Sequence, residues 1–317
     1  MTYQPTAISD DLTKLPKLPS WVTSGRAETF EAVAFRSGAA LMVLDQLISD
    51  PKFGVPVKLL ANRLALKAAT ATSKLEGRLA READIRDALH LTPPGEARGP
   101  DGDLLAFWRE AVGLRKGGAG EIADLTGPDL AGEMGGWLDA GQARSRTHGP
   151  LPGCVAVLRS VLSADARAER VACLLSDVVL AGALTWKTVL PVSAQRLTKT
   201  MLRDLAANGQ GADLAVQARI LESIEETIRL ARDLAQRGAA LRAVAPKLRA
   251  KGSDAAVALF LTEDAVTPST MLSPTIKGTA ISMTSRAARR FCDRLVELGV
   301  ARELTGRPTF RLYGIVP

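Results

Sequence analysis

Arginine carries most of the chemistry this sequence offers. Arg286, Arg289 and Arg290 fall in the first two turns of a helix-like stretch, directly after Ser285, and Arg307 and Arg311 follow in a strand–turn–strand pattern. A guanidinium presents a rigid fork of donors that pairs bidentately with phosphate oxygens or with a guanine edge. Clustered at the start of one helix, such groups point to duplex DNA, because a recognition helix meets base edges with its N-terminal turns. Ser285 would contact phosphate near the helix start. Arg307 lies at the tip of a hairpin, where a wing reaches a phosphate or the minor groove. Asp293 and Glu297 come later, where the helix would be leaving the groove.

Other chemistries find little support. Two histidines, His90 and His148, and three dispersed cysteines, Cys154, Cys173 and Cys292, make no metal-ligand set and no disulfide framework. A P-loop and a strand–GxGxxG–helix unit are both missing, and Gly117, Gly118 and Gly120 read as a linker. No catalytic residue, cofactor or metal is therefore expected. His90 should end a helix, where a partly positive imidazole suits the C-terminal dipole. His148, beside Arg144 and Arg146, is expected in a polar loop over 141–153. Trp108 and Trp186 should be core anchors, and Trp21 should pin an N-terminal arm. These rings do not form an aromatic platform for single strands.

The elements that position the arginines follow from periodicity. Thr284 is placed to cap a helix whose Ala288, Phe291, Leu295 and Leu298 form one apolar face, and Gly299 can close it in the left-handed conformation. Residues 300–304 and 309–315 are strand-like, with the turn Thr305-Gly306-Arg307-Pro308 between them. Upstream, apolar residues recur at helical spacing over most of the chain. The pattern predicts helices around 30–48, 60–75, 82–91, 103–112, 155–162, 167–184, 194–207 and 213–237, with several short ones between 121 and 140. In the longest, Ile220, Ile224 and Ile228 recur every fourth residue, and Glu225 precedes Arg229 in the favourable order for a surface pair.

The resulting expectation is a mainly α protein: an extended arm over 1–25, an all-helical body over 26–241, a basic linker over 242–252, and a winged helix-turn-helix with a small hairpin wing over 253–317. Aromatics are only 4% of residues, which favours helix over strand, and the net charge of +7 fits a nucleic-acid partner. The N-terminus has no apolar core of a signal peptide, and the run near Val178 is too short to span a bilayer. A cytoplasmic protein that binds double-stranded DNA, and that could pair as a homodimer, is the expectation. It would act as a transcriptional regulator or a mobile-element factor. The alternatives are a protein-interaction scaffold and a nucleotide-binding pseudoenzyme.

Three stretches carry a family resemblance. AVAFRSGAALMVLDQLISDP with the following LANRLALKAATATSKLEGRLAREADIRDALHLTPPGEARGPDGDLLAFWR, the segment VAPKLRAKGSDAAVALFLTEDAV, and the ending from Arg286 onward, RAARRFCDRLVELGVARELTGRPTFRLYGI, resemble the DUF1403 family. That family comprises uncharacterised alphaproteobacterial proteins, so the resemblance implies a common fold and no activity. The ending RFCDRLVELGVARELTGRPTFRLY is also similar to the winged helix that closes many Fic-family proteins. Thr72-Ser73-Lys74-Leu75-Glu76-Gly77 fits the Fic inhibitory pattern. The Fic catalytic loop, HxFx(D/E)GNGR, has no counterpart here, which implies that any nucleotidyl-transfer chemistry is lost.

Overall fold

The structure, a computed structural model, describes residues 15–93, 95–114, 119–248, 251–307 and 309–315. Most of the expected N-terminal arm, part of the glycine linker, two residues of the basic linker and Pro308 of the expected turn lie outside these residues. In chain order the helices are α1 (Ser20–Thr23), α2 (Phe30–Ser49), α3 (Val57–Leu75), α4 (Glu82–His90), α5 (Gly99–Gly113), α6 (Ala119–Thr126), α7 (Ala131–His148), α8 (Pro150–Ala164), α9 (Glu169–Ala183), α10 (Lys199–Ala206), α11 (Ala212–Val244), α12 (Ser253–Phe260) and α13 (Ser285–Glu297). The strands β1 (Arg302–Glu303) and β2 (Tyr313–Gly314) pair antiparallel, so the protein is mainly helical as its composition predicts.

The long helix α11 organises the body. Val216, Ile220, Ile224, Ile228, Ala231, Leu234 and Leu241 recur on one side and are buried. It packs along α2, and Arg36 of α2 pairs with Glu225 across that contact at 2.7 Å. The expected surface pair of Glu225 with Arg229 is therefore not made. Glu225 faces α2, and Arg229 lies nearer Glu226, at 3.9 Å. The helix also continues beyond the predicted end at 237. Gly238 lies inside it, and an added Cβ there would come within 3.3 Å of Leu261. The residue serves close packing rather than a turn. α2 is, among the described residues, the one helix long and apolar enough to cross a membrane. Its Val33, Ala40, Leu41, Leu44 and Leu47 are buried in the core, while Phe35 and Met42 are exposed.

The polar loop expected over 141–153 is instead the end of α7 and the start of α8. Its glycines suggest a turn in sequence, but here they let two helices touch. An added Cβ on Gly153 would lie 2.6 Å from the Gly141 carbonyl oxygen and clash with the Ser145 hydroxyl, and one on Gly141 would meet Val157 and Val179. Two helices whose backbones approach this closely gain dispersion contacts along the whole crossing. The helix expected over 194–207 is also divided, into a 3₁₀ turn (Ser193–Arg196) and α10, whose N-cap Thr198 accepts from the Met201 amide at 3.3 Å. That 3₁₀ turn is held by the buried Asp177 of α9. One of its carboxyl oxygens accepts from the Val192 amide (3.1 Å), the Ser193 amide (2.9 Å) and the Ser193 hydroxyl (2.8 Å).

Trp108 and Trp186 are buried anchors, as expected, and each indole N–H is satisfied: Trp108 donates to the Thr72 hydroxyl (3.0 Å) and Trp186 to Asp45 (2.9 Å). Gly153→Ala should destabilise the fold by about 1–3 kcal/mol, the usual cost of overpacking a tight core contact. Urea denaturation monitored by circular dichroism checks this, and an unchanged midpoint would show that the α7–α8 crossing is not close-packed.

Candidate nucleic-acid interface

α13 begins as its sequence dictates. The Thr284 hydroxyl accepts from the Ala287 amide at 3.3 Å, so one orphan donor of the first turn is satisfied. Ser285 lies 3.1 Å, oxygen to oxygen, from Ser273 in the preceding extended segment. Ala288, Phe291, Cys292 and Leu295 are buried, and the Phe291 ring sits 6.2 Å from Phe260 of α12. Gly299 takes φ +69°, which ends the helix and releases the chain into β1. With the apolar side fixed inward, the opposite face carries Arg286, Arg289 and Arg290, all exposed.

The acids of α13 are engaged by other partners. Asp293 accepts from the Tyr313 hydroxyl of β2 at 3.2 Å, and Glu297 pairs with Arg294 at 2.9 Å. Among the described residues, Arg286, Arg289 and Arg290 have no ion-pair partner. Arg286, Arg290 and Arg294, at four-residue steps, line one side of a groove of about 880 Å³. Pro246, Lys247 and Leu248, which follow α11, line the other, with Thr284, Ala287 and Phe291 completing it. Sequence reasoning left Lys247 in a linker; the basic stretch around it was the available signal.

The ladder beside α13 is short. Arg302 faces Gly314 and Glu303 faces Tyr313, and the Leu304 amide adds a bond to the Leu312 carbonyl at 2.8 Å. Tyr313 also exchanges two backbone bonds with Val266 on its other side, at 2.7 and 3.0 Å. The Glu303 carboxylate accepts from the amides of Thr305 and Gly306, each at 2.8 Å, and from the Thr305 hydroxyl. Partial burial works against its ionisation, but these bonds together hold its pKa below the usual carboxylate range. Arg307 does not project freely. Its guanidinium folds back to Asp87 of α4 at 3.5 Å, while its side chain stays 56% exposed. Arg311 donates to the Arg307 carbonyl at 3.2 Å, and its interaction with Tyr313 raises its pKa.

A seam of buried charge joins this region to α3, α4 and α5. Arg109 donates to Glu263 at 2.9 Å and to Asp264, and Lys277 reaches Glu263 at 2.8 Å. Arg63 donates to two main-chain carbonyls, Asp264 at 3.1 Å and Ile315 at 2.5 Å. Asn62 donates to the Thr262 carbonyl at 2.8 Å and Arg86 to the Leu304 carbonyl at 3.0 Å. Burial is the main opponent of the Glu263 charge, and Lys277 and Arg109 outweigh it, so its pKa is lowered. His90 Nε2 lies 3.4 Å from Asp264 and 3.4 Å from Arg109. Burial, reinforced by the Arg109 charge, pushes the His90 pKa down to about 3. The partly positive imidazole expected at the end of α4 is thus corrected to a neutral one, because the site excludes water and already holds a cation.

The other candidate groups do not converge. His148 ends α7 on the surface, beside Arg144 at 3.1 Å, rather than in a loop. Cys154, Cys173 and Cys292 are buried and unpaired, and burial pushes the Cys154 thiol up to about 12. Among the described residues no group of His, Cys, Asp and Glu side chains is arranged to hold a metal. Thr72 and Glu76 end α3: the Thr72 hydroxyl donates to the Ala68 carbonyl at 2.8 Å, and Glu76 pairs with Arg78 (2.8 Å) and Arg170 (3.0 Å).

A family model described as "Protein of unknown function (DUF1403)" matches residues 6–315, and the chain belongs to that family. No curated protein matches it.

The neutral His90 has a consequence for stability. Its folded pKa is depressed below the ordinary histidine value, so the unfolded chain binds the extra proton as pH falls. Stability should therefore fall between about pH 6.5 and pH 3, by roughly 2 kcal/mol at pH 5 from this group alone. Asp177 acts in the opposite sense, because burial pushes its pKa up to about 7. The comparison is thus between wild type and His90→Gln, whose melting temperature should rise relative to that of wild type as pH falls from about 6.5 towards 3. Parallel profiles would show that His90 is not held neutral.

Proposed function

We propose that this DUF1403 protein binds double-stranded DNA, as a transcriptional regulator or a mobile-element factor, through a winged helix-turn-helix over 253–317. In this reading α12, the π turn Pro268–Leu272 and α13 are the three helices of the module. Val266, β2 and β1 are its small sheet, and the segment between the strands is its wing. α13 lies in the major groove. The observation that carries the reading is the state of Arg286, Arg289 and Arg290. They are exposed, they occupy the first two turns of a capped helix, and the acids on the same helix are tied to Tyr313 and Arg294.

Ser285 contacts phosphate at the start of the helix, and Arg311 approaches the backbone from the wing. Arg307 reaches a phosphate by exchanging Asp87 for it. Arg307 keeps more than half its side chain exposed, and Asp87 retains its pair with Arg86 at 2.7 Å, so neither group is stranded by the exchange. The helical body over 26–241 holds the module at a fixed angle through the charged seam. The net charge of +7 adds a long-range attraction for the duplex.

Fluorescence anisotropy with a labelled duplex of about 30 base pairs tests this, because released counterions make phosphate-mediated binding fall steeply with salt. The expected result is binding that weakens with a steep log–log salt slope and is abolished in the Arg289→Glu, Arg290→Glu double variant. Unchanged binding by that variant would remove α13 from the interface. Absence of binding even at low salt would shift the module to a protein partner.

A further inference from the structure

We infer that the groove between α13 and the turn after α11 holds the sugar-phosphate backbone of one DNA strand, gripped by Lys247 together with Arg286, Arg290 and Arg294. This rests on the DNA-binding reading and extends it in two ways. It adds a contact from the body side of the molecule, and it divides the arginines of α13 between two tasks.

The division follows from helix geometry. Residues four apart are rotated by only about 40°, so Arg286, Arg290 and Arg294 form a row along the groove, about 12 Å long at 1.5 Å per residue. A duplex offers one phosphate per ~3.4 Å of axis on each strand, so such a row faces more than one of them. Arg289 is rotated about 100° from Arg290 and does not line the groove. It is the arginine left to face base edges, where a bidentate pair with guanine discriminates sequence.

The charge of the groove fits this occupant. Among the described residues, every charged side chain lining it is a cation: Lys247, Arg286, Arg290 and Arg294. Arg294 has an acidic partner, Glu297, but both side chains are more than half exposed, so that pair is weak. Like charges held on two sides of a groove repel, and an anionic strand between them relieves the repulsion. Pro246, Leu248 and Ala287 give the site apolar surface, which suits the faces of deoxyribose and focuses the field of the cations. The side bearing Lys247 is set by the body: α11 runs directly into the 3₁₀ turn Ala245–Lys247, and Gly238 of α11 abuts Leu261 at the end of α12.

The test compares Lys247→Gln, Lys247→Arg, Arg289→Ala and wild type by anisotropy across a salt series, on a selected site and on a scrambled duplex. Lys247→Gln should lower the log–log salt slope by about one, to the same extent on both duplexes. Lys247→Arg should retain the slope. Arg289→Ala should instead reduce the discrimination between the two duplexes. Lys187→Gln, an exposed lysine beyond α9, controls for net charge. If Lys247→Gln matches wild type while Arg289→Ala is impaired, the groove assignment falls and the DNA reading stands. If wild type binds neither duplex, both fall. A Lys247-dependent rise in melting temperature with inorganic phosphate, against chloride of equal ionic strength, together with unaltered duplex binding, would assign the groove to a free anion and overturn the strand.

Discussion

The buried guanidiniums of Arg63 and Arg109 are the constraint on which the rest of the molecule depends. A charge removed from water must find partners, or its desolvation outweighs whatever packing it allows. Both arginines belong to body helices, and both find their partners in the C-terminal region. Arg109 takes the adjacent carboxylates Glu263 and Asp264, and Arg63 takes main-chain oxygens on either side of the Val266–Tyr313 bridge. Burial lowers the Arg63 pKa to about 10, which still leaves it charged at neutral pH. The result is an orientation lock. The segments carrying Glu263, Asp264 and Ile315 cannot leave α3 and α5 without leaving a buried charge unpaired, and α13 is tied to β2 beside them through Asp293 and Tyr313.

The same accounting of partners decides which arginines remain available. Arg36, Arg63, Arg86, Arg109, Arg159 and Arg196 are each committed to an acid or a carbonyl. On α13 the pattern is reversed, because Tyr313 and Arg294 occupy its carboxylates and leave three guanidiniums facing solvent. A solvated arginine is ordinary. Three in two turns, beside a fourth cation across a groove, concentrate positive potential in one place on the surface.

Much of this was legible in the sequence, and the reasons differ by element. α13 was the clearest, because cap, apolar period and closing glycine all act within one helix, and Thr284 and Gly299 do what their side chains predict. α2, α3 and the core of α11 were readable from apolar spacing alone. The glycines misled: Gly141, Gly153 and Gly238 look like punctuation but sit inside helices, because their lack of a side chain is used against a neighbour that is distant in sequence. The partners of Glu225, His90 and Arg307 were equally hidden. Each is chosen by tertiary proximity, and a favourable local spacing such as Glu225 to Arg229 loses to a better partner across an interface. The Glu263-Asp264 pair within the apolar run ALFLTEDAV was a readable sign of buried charge, although not of its partners.

The seam also orders events during synthesis. Arg63 and its carbonyl partners are separated by 201 and 252 residues. At about 5–20 residues per second, roughly 10–40 s pass between the appearance of Arg63 and that of Asp264. By the end of that interval the nascent chain has its body helices but neither the acids of Arg109 nor the carbonyls of Arg63. These groups must stay hydrated, so the surface that later meets the C-terminal region stays open. α7 and α8, adjacent in sequence, can close early, whereas the face of α3, α4 and α5 is left for last. The face of α3, α4 and α5 is therefore completed only when the segment over 263–315 is made.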